Sequence, residues 1–181
     1  MIRIVVDDIY SLRSFRWEDK ARLVAFANNE KVARNLRDGF PHPYTDETAE
    51  QWLDTAIEHL SNSVFVIAQN DLLIGGTGYH PRDDVYRYSA EIGYWLGEPY
   101  WGQDIVTRCV GKLVGWIFTN TECLRLFAGV FSNNPASVRV LEKNGFRLEG
   151  RLRQAVVKQG VVLDELRHAL LREEWLTRKI N

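Results

Sequence analysis

The chain has 181 residues, 45% of them hydrophobic, enough for one domain spanning 1–181 with a substantial core and too few for two comfortable ones. A formal net charge of -1 gives no global argument for a nucleic-acid or membrane partner, and two cysteines, Cys109 and Cys123, make no disulfide framework. No apolar run approaches membrane-spanning length, and MIRIVV is followed at once by Asp7 and Asp8, unlike a signal peptide, so a cytoplasmic chain is expected.

Tyr10 to Phe15 alternates as a first strand does, and Trp17-Glu18-Asp19 opens a helix through Leu23, Val24, Ala27 and beyond. Arg34 to Tyr44 holds Gly39, Pro41 and Pro43 and reads as a loop. Thr45, with Asp46 and Glu47 behind it, starts a helix whose buried face is Ala49, Trp52, Leu53, Ala56, Ile57 and Leu60. Ser63–Gln69 and Leu72–His80 form a hairpin about Asn70-Asp71, and Gly75, Gly76 and Gly78 imply a bend or close backbone contact. Asp83–Tyr88 is a polar turn.

Ala90–Leu96 returns as a third strand, with Gly93 suggesting a bulge or close approach. A glycine-bearing loop leads into a helix with its apolar stripe at Val106, Cys109, Val110, Leu113, Val114, Ile117 and Phe118, which makes Cys109 a core residue. The first amides of such a helix point into the loop and bind anions, typically phosphates. Leu124–Phe131 is a strand parallel to Ala90–Leu96 through a right-handed crossover. Asn134 caps a helix with Pro135 first and Val138, Val140 and Leu141 inward, which Asn144-Gly145 ends. Phe146–Val157 and Val162–Leu171 form a closing hairpin about Lys158-Gln159-Gly160.

The run EIGYWLGEPYWGQ, its apolar helix and then NPASVRVLEKNGFRLEG resemble the GNAT superfamily of acetyl-CoA-dependent N-acetyltransferases, in the branch typified by the RimJ and RimL ribosomal-protein acetyltransferases. The resemblance covers nearly the whole chain, from YSLRSFRWEDK to LLREEW. It implies an α/β (α+β) GNAT fold: a mixed, mostly antiparallel sheet splayed between two central parallel strands, helices on both faces, and the pantetheine arm of acetyl-CoA between those strands. A homodimer is implied at the same family level.

The cofactor loop departs from the family pattern. That pattern reads Gln or Arg, two variable residues, Gly, one variable residue, then Gly or Ala; this chain reads Trp101, Gly102, Gln103, Asp104, Ile105, Val106. Both small positions are lost, to Asp104 and Val106, while Gly102 and Thr107 fit the RimJ-like branch. Asp104 either weakens the cofactor site, by placing a carboxylate where the anion sits, or is an ordinary N-cap; the two readings are compatible.

By the resemblance, acetyl-CoA contacts Trp95, Leu96 and Trp101–Thr107, and Asn134 orients its pantetheine arm. Arg139 and Lys143, at i and i+4, meet its adenosine-side phosphate or form a solvated basic face. Glu91 is the candidate base through a water, with a structural carboxylate as the plain alternative. Backbone N–H groups at Trp95 and Leu96 polarise the thioester carbonyl, and Ser137, otherwise a helix-surface serine, approaches the cofactor sulfur. The acceptor wall presents Asn35, Phe40 and Tyr44, with Arg37 and His42. No HExxH, CxxC or Gly-x-Ser-x-Gly pattern supports a metal site or a hydrolase. The expected activity is direct transfer of acetyl to a primary amine, of a protein N-terminus or a small molecule. The alternatives are a GNAT-like binding module with a decayed loop, and a different acyl group or ligand in the same cleft.

Overall fold

A computed structural model describes residues 2–178. Eight strands, β1 (Arg3–Val5), β2 (Tyr10–Arg13), β3 (Val64–Gln69), β4 (Leu72–Pro81), β5 (Ser89–Leu96), β6 (Arg125–Phe131), β7 (Arg147–Lys158) and β8 (Val161–Leu171), are hydrogen-bonded in the order β1-β2-β3-β4-β5-β6-β8-β7. The helices are α1 (Lys20–Ala27), α2 (Glu30–Ala33), α3 (Asp46–Glu58), α4 (Ile105–Asn120), α5 (Pro135–Lys143) and α6 (Arg172–Arg178). The pairs β1–β2, β2–β3, β3–β4, β6–β8 and β7–β8 are antiparallel. β5 and β6 are parallel, in a register from Ser89↔Arg125 to Glu91↔Phe127 that takes up only the first three residues of β5. Two compact units are present, Met1–Gly78 with Tyr94–Leu113, and Tyr79–Gly93 with Val114–Asn181.

The first unit is built on β3, whose residues Val64 to Ala68 are all buried. Val64, Val66 and Ala68 share a core with Leu23 and Ala27 of α1 and Ala49, Leu53 and Ala56 of α3, with Trp52, Ile57 and Leu60 packed at its edge. The α3 face is thus the one the 3.6-residue period predicts, and Thr45 caps it, its side chain accepting from the Thr48 N–H. β2 is buried along its whole length because Arg13 finds a partner inside: its guanidinium holds Asp19 through two bonds of 2.8 and 2.6 Å and also donates to the Asp71 carbonyl. Gly75 and Gly76 lie against Trp95, where an added Cβ would come within 2.4 Å of its carbonyl oxygen and 2.7 Å of its indole nitrogen. The expected close backbone contact is therefore real at Gly75, and at Gly78, where a Cβ would lie 2.7 Å from the Ser63 carbonyl oxygen, while at Gly76 the neighbour is a side chain.

The second unit contains the β6–β8–β7 ladder and α5. Gly145, at φ +90°, ends α5: its N–H bonds to the Glu142 carbonyl and the Phe146 N–H to that of Leu141, the paired bonds of a Schellman motif. The closing hairpin forms as expected, with β8 inside and β7 outside.

Several expectations are corrected. β1 precedes the strand taken as first; at three residues it is too short for a period to show. The first helix does not run on, because Asn28 and Asn29 leave the helical backbone and Asn29 caps α2 through the Lys31 N–H. Gly93 has open space where its Cβ would lie, so no close approach requires it. Along α5 only Leu141 is fully buried, Val138 and Val140 being half-buried at the edge of its narrow apolar face. The α4 stripe begins one residue early, at buried Ile105 rather than half-buried Val106. α6, with Glu173 and Glu174 in its first turn, was not anticipated. Among the described residues no helix is long and apolar enough to cross a membrane.

Candidate active site

In the first unit the candidate cofactor loop grows out of β5. The Gly97 N–H donates to the Ile74 carbonyl at 2.9 Å, and a Cβ at Gly97 would sit 2.9 Å from the Phe26 ring, so this approach requires glycine. A short 3-10 turn, Glu98–Tyr100, follows. The Phe26 ring meets Tyr100 edge-on at 5.5 Å, and Arg22 reaches the Tyr100 hydroxyl and the Leu73 carbonyl. The Glu98 carboxylate accepts from Lys31 Nζ at 2.5 Å and Asn29 Nδ2 at 2.8 Å, and these two bonds hold its carboxyl below the ordinary glutamate value. Trp101 Nε1 donates back to the Leu96 carbonyl at 2.7 Å, and Gln103 Nε2 donates to that of Pro99.

Residues 101–104 are exposed, and two of them, Gly102 at φ +74° and Asp104 at φ +58°, are left-handed. The Asp104 carbonyl accepts from the Arg108 N–H at 3.2 Å, which puts Asp104 in the N-cap position of α4. Its backbone is not the extended one of an ordinary cap, however. Asp is among the few residues besides Gly that tolerate this region, so the loop keeps a glycine-like turn where the family's small residue is missing. The amides of Ile105 and Val106 open α4 and have no acceptor within it. An exposed loop and the positive end of a 16-residue helix fit the phosphates of a nucleotide-linked thioester.

The same unit gathers Phe40, Tyr44 and Trp95. Phe40 stands 5.2 Å from Tyr44 and 5.5 Å from Trp95, centroid to centroid. Burial pushes the Tyr44 phenol up to about 12, so it is neutral and no base. Asn35 lies outside this ring cluster, half-buried, its amide donating to the Lys31 carbonyl; Arg37 and His42 are exposed. Cys109 is fully buried, and burial pushes its thiol up to about 12, so it supplies no thiolate.

In the second unit Glu91 is 9% exposed, on β5 opposite Phe127. The Phe127 ring lies under the guanidinium of Arg167, 5.0 Å from its centroid, and Arg167 is paired with Glu165. Asn134 and Ser137 come together as the cap predicts: Asn134 Oδ1 accepts from the Ser137 N–H at 3.2 Å. Arg139 and Lys143 lie exposed on α5. What the sequence reading missed is the frame around the cofactor loop: Arg22, Phe26, Asn29, Lys31 and Glu98. Its one available signal is Asn28-Asn29, two helix-disfavouring residues in the middle of a helical pattern.

The comparisons agree with the fold. The model of the acetyltransferase (GNAT) domain matches residues 11–147. The chain is 30% identical over 169 residues to the uncharacterized N-acetyltransferase YoaA of Bacillus subtilis (strain 168), covering 91% of this chain and 94% of that one. It is 37% identical over 92 residues to the ribosomal-protein-serine acetyltransferase of Escherichia coli (strain K12), 51% of each. Among solved structures, RimL, a ribosomal L7/L12 alpha-N-protein acetyltransferase in complex with coenzyme A, shares the fold with a TM-score of 0.85 at 21% identity, over 96% of this chain and 99% of that one. The chain belongs to the GNAT acetyltransferase family, RimJ/RimL-like in its relatives. It is an N-acetyltransferase with acetyl-CoA as cosubstrate.

Proposed function

We propose that the acceptor is the α-amine of a protein N-terminus, and that residues 1–181 act as one transferase domain in the cytoplasm. The observation that carries the acceptor is the 37% identity to a ribosomal-protein-serine acetyltransferase. Amine chemistry agrees with it. An α-amine with pKa near 8 is roughly one-tenth neutral at pH 7, against about one lysine in a few thousand, so a single carboxylate acting through water suffices. Glu91 is that base in this reading. Backbone N–H groups of Trp95 and Leu96 face the thioester carbonyl, and Ser137 hands a proton to the departing sulfur.

Trp101, Gly102, Gln103, Asp104, Ile105, Val106 and Thr107 cradle the diphosphate. Asn134 orients the pantetheine arm, and Arg139 and Lys143 meet the 3′-phosphate end. Bound acetyl-CoA supplies the activated acetyl group. Phe40 and Tyr44 give the acceptor an apolar wall, and Asn35 a polar edge. The protonated Cys109 thiol supports direct transfer, without an acyl-enzyme. The match at 11–147 takes in parts of both compact units, which supports a single domain. Family likeness alone supports a homodimer.

The test is to offer acetyl-CoA with short peptides that begin in Ser, Ala or Met, the same peptides blocked at the N-terminus but carrying a lysine, and a polyamine. Mass spectrometry is expected to place 42 Da, the mass of about one acetyl group, on the free α-amine, with the Glu91→Gln variant slowed about a hundredfold or more. Acetylation of lysine or polyamine alone overturns the acceptor assignment. An undiminished Glu91→Gln rate overturns the base.

A further inference from the structure

The loop that would hold the cofactor and the segment that would form the acceptor wall are far apart in sequence, yet one chain of hydrogen bonds within the first unit joins them. Gln103 Nε2 bonds to the Pro99 carbonyl and the Trp101 N–H to the Glu98 carbonyl, so both loop residues rest on the Glu98–Tyr100 turn. Glu98 extends its carboxylate from that turn to Asn29 Nδ2 and Lys31 Nζ. Asn29 Oδ1 caps α2 through the Lys31 N–H, and the Lys31 carbonyl accepts from Asn35 Nδ2. The neighbouring Asn28 takes the Tyr44 N–H on its own side chain at 3.0 Å.

Resting on the reading of 101–107 as the cofactor loop, we propose that Glu98 is a positioning residue: it transmits cofactor binding to the acceptor wall, residues 34–44, through Asn29 and Lys31. Two features fit a transmitting contact better than a purely stabilising one. The Lys31–Glu98 pair is solvent-facing, with side chains 58% and 35% exposed, and such pairs add little to folding. Asn29 also stands at the break between α1 and α2, the one place where the backbone leaves the helix between them, so a change at Glu98 acts on the start of α2 directly.

The probe is coenzyme A alone, so no acceptor need be known. Amide hydrogen exchange is followed in the full-length wild type, Glu98→Gln and Lys31→Met, with calorimetry giving the CoA affinity of each. In the wild type, CoA is expected to slow exchange across 34–44 by about fivefold or more, the lower range of measured site-to-site couplings. In both variants that protection is lost, while CoA affinity changes by no more than about threefold and the melting temperature stays near wild type. A structural role alone would lower the melting temperature and leave the CoA-induced protection in place. Protection retained in Glu98→Gln, or absent from a wild type that binds CoA, overturns the inference and leaves the cofactor loop standing. A wild type that gives no binding heat removes the cofactor-loop reading and the inference together.

Discussion

The loop that enters α4 and the turn that enters α5 are both helix starts built on an acid or its amide, Asp104 and Asn134, and they are held in opposite ways. α5 is held from within. Its cap, Asn134, bonds to an amide three residues on, and its end is closed by Gly145 and Phe146 through bonds to Glu142 and Leu141. The α4 loop adds to its own short-range bonds, from Trp101 to Leu96 and Glu98 and from Gln103 to Pro99, an outside brace supplied by Ile74, Phe26, Asn29 and Lys31. A segment that closes on itself depends on its own few residues. One braced by distant side chains depends on the whole unit, and here it carries Asp104 at a left-handed φ of +58°.

The largest expected effect comes from the buried ion pair of the unit that carries the braced loop. Arg13 and Asp19 have side chains only 4% and 3% exposed, and Arg13 also anchors the Asp71 turn. Asp19→Ala takes from the buried guanidinium its one buried carboxylate partner, leaving it the half-exposed Asp71 carboxylate at 3.2 Å, and should cost about 3 kcal/mol in urea unfolding. A loss under 1 kcal/mol would show that the first unit does not depend on that pair. Next comes the internally held helix. Gly145→Ala forces a Cβ into φ +90° and should cost about 1–2 kcal/mol, lowering the melting temperature without changing CoA affinity. The smallest effect on stability is expected at the loop itself. Asp104→Gly suits φ +58°, should shift stability by no more than about 0.5 kcal/mol, and removes a negative charge beside the expected phosphates. One such charge about 4 Å away is worth about 1 kcal/mol in water, so CoA should bind about fivefold tighter by calorimetry. Unchanged or weaker binding would mean that Asp104 helps to form the site.

The same contrast explains which parts of the molecule were legible beforehand. The α3 face, the α5 cap and its glycine end, the β3–β4 and β7–β8 hairpins and the close packing at Gly75 and Gly76 all follow from periods, caps and turns within a dozen residues. The Asn28–Asn29 break was written in the chain but outweighed by the apolar period on either side. The partners of Glu98 lie 67 and 69 positions away, and no local pattern marks them. At the candidate site, residue types such as Asn134, Ser137 and Glu91 could be named from motif position. The meeting of Trp95 with Phe40 could not, since Trp95 comes from β5 and Phe40 from the loop before α3.

By itself, then, the sequence determined most of the elements and the family, though not β1, α6 or the break between α1 and α2, because hydrophobic period and capping act over one or two turns of chain. Tertiary structure alone decided the left-handed backbone of Asp104, the burial of Arg13 with Asp19 and the brace at Glu98. Each depends on how far apart in space two segments come to rest, and that distance is set by the packing of a whole core rather than by any neighbour in the chain.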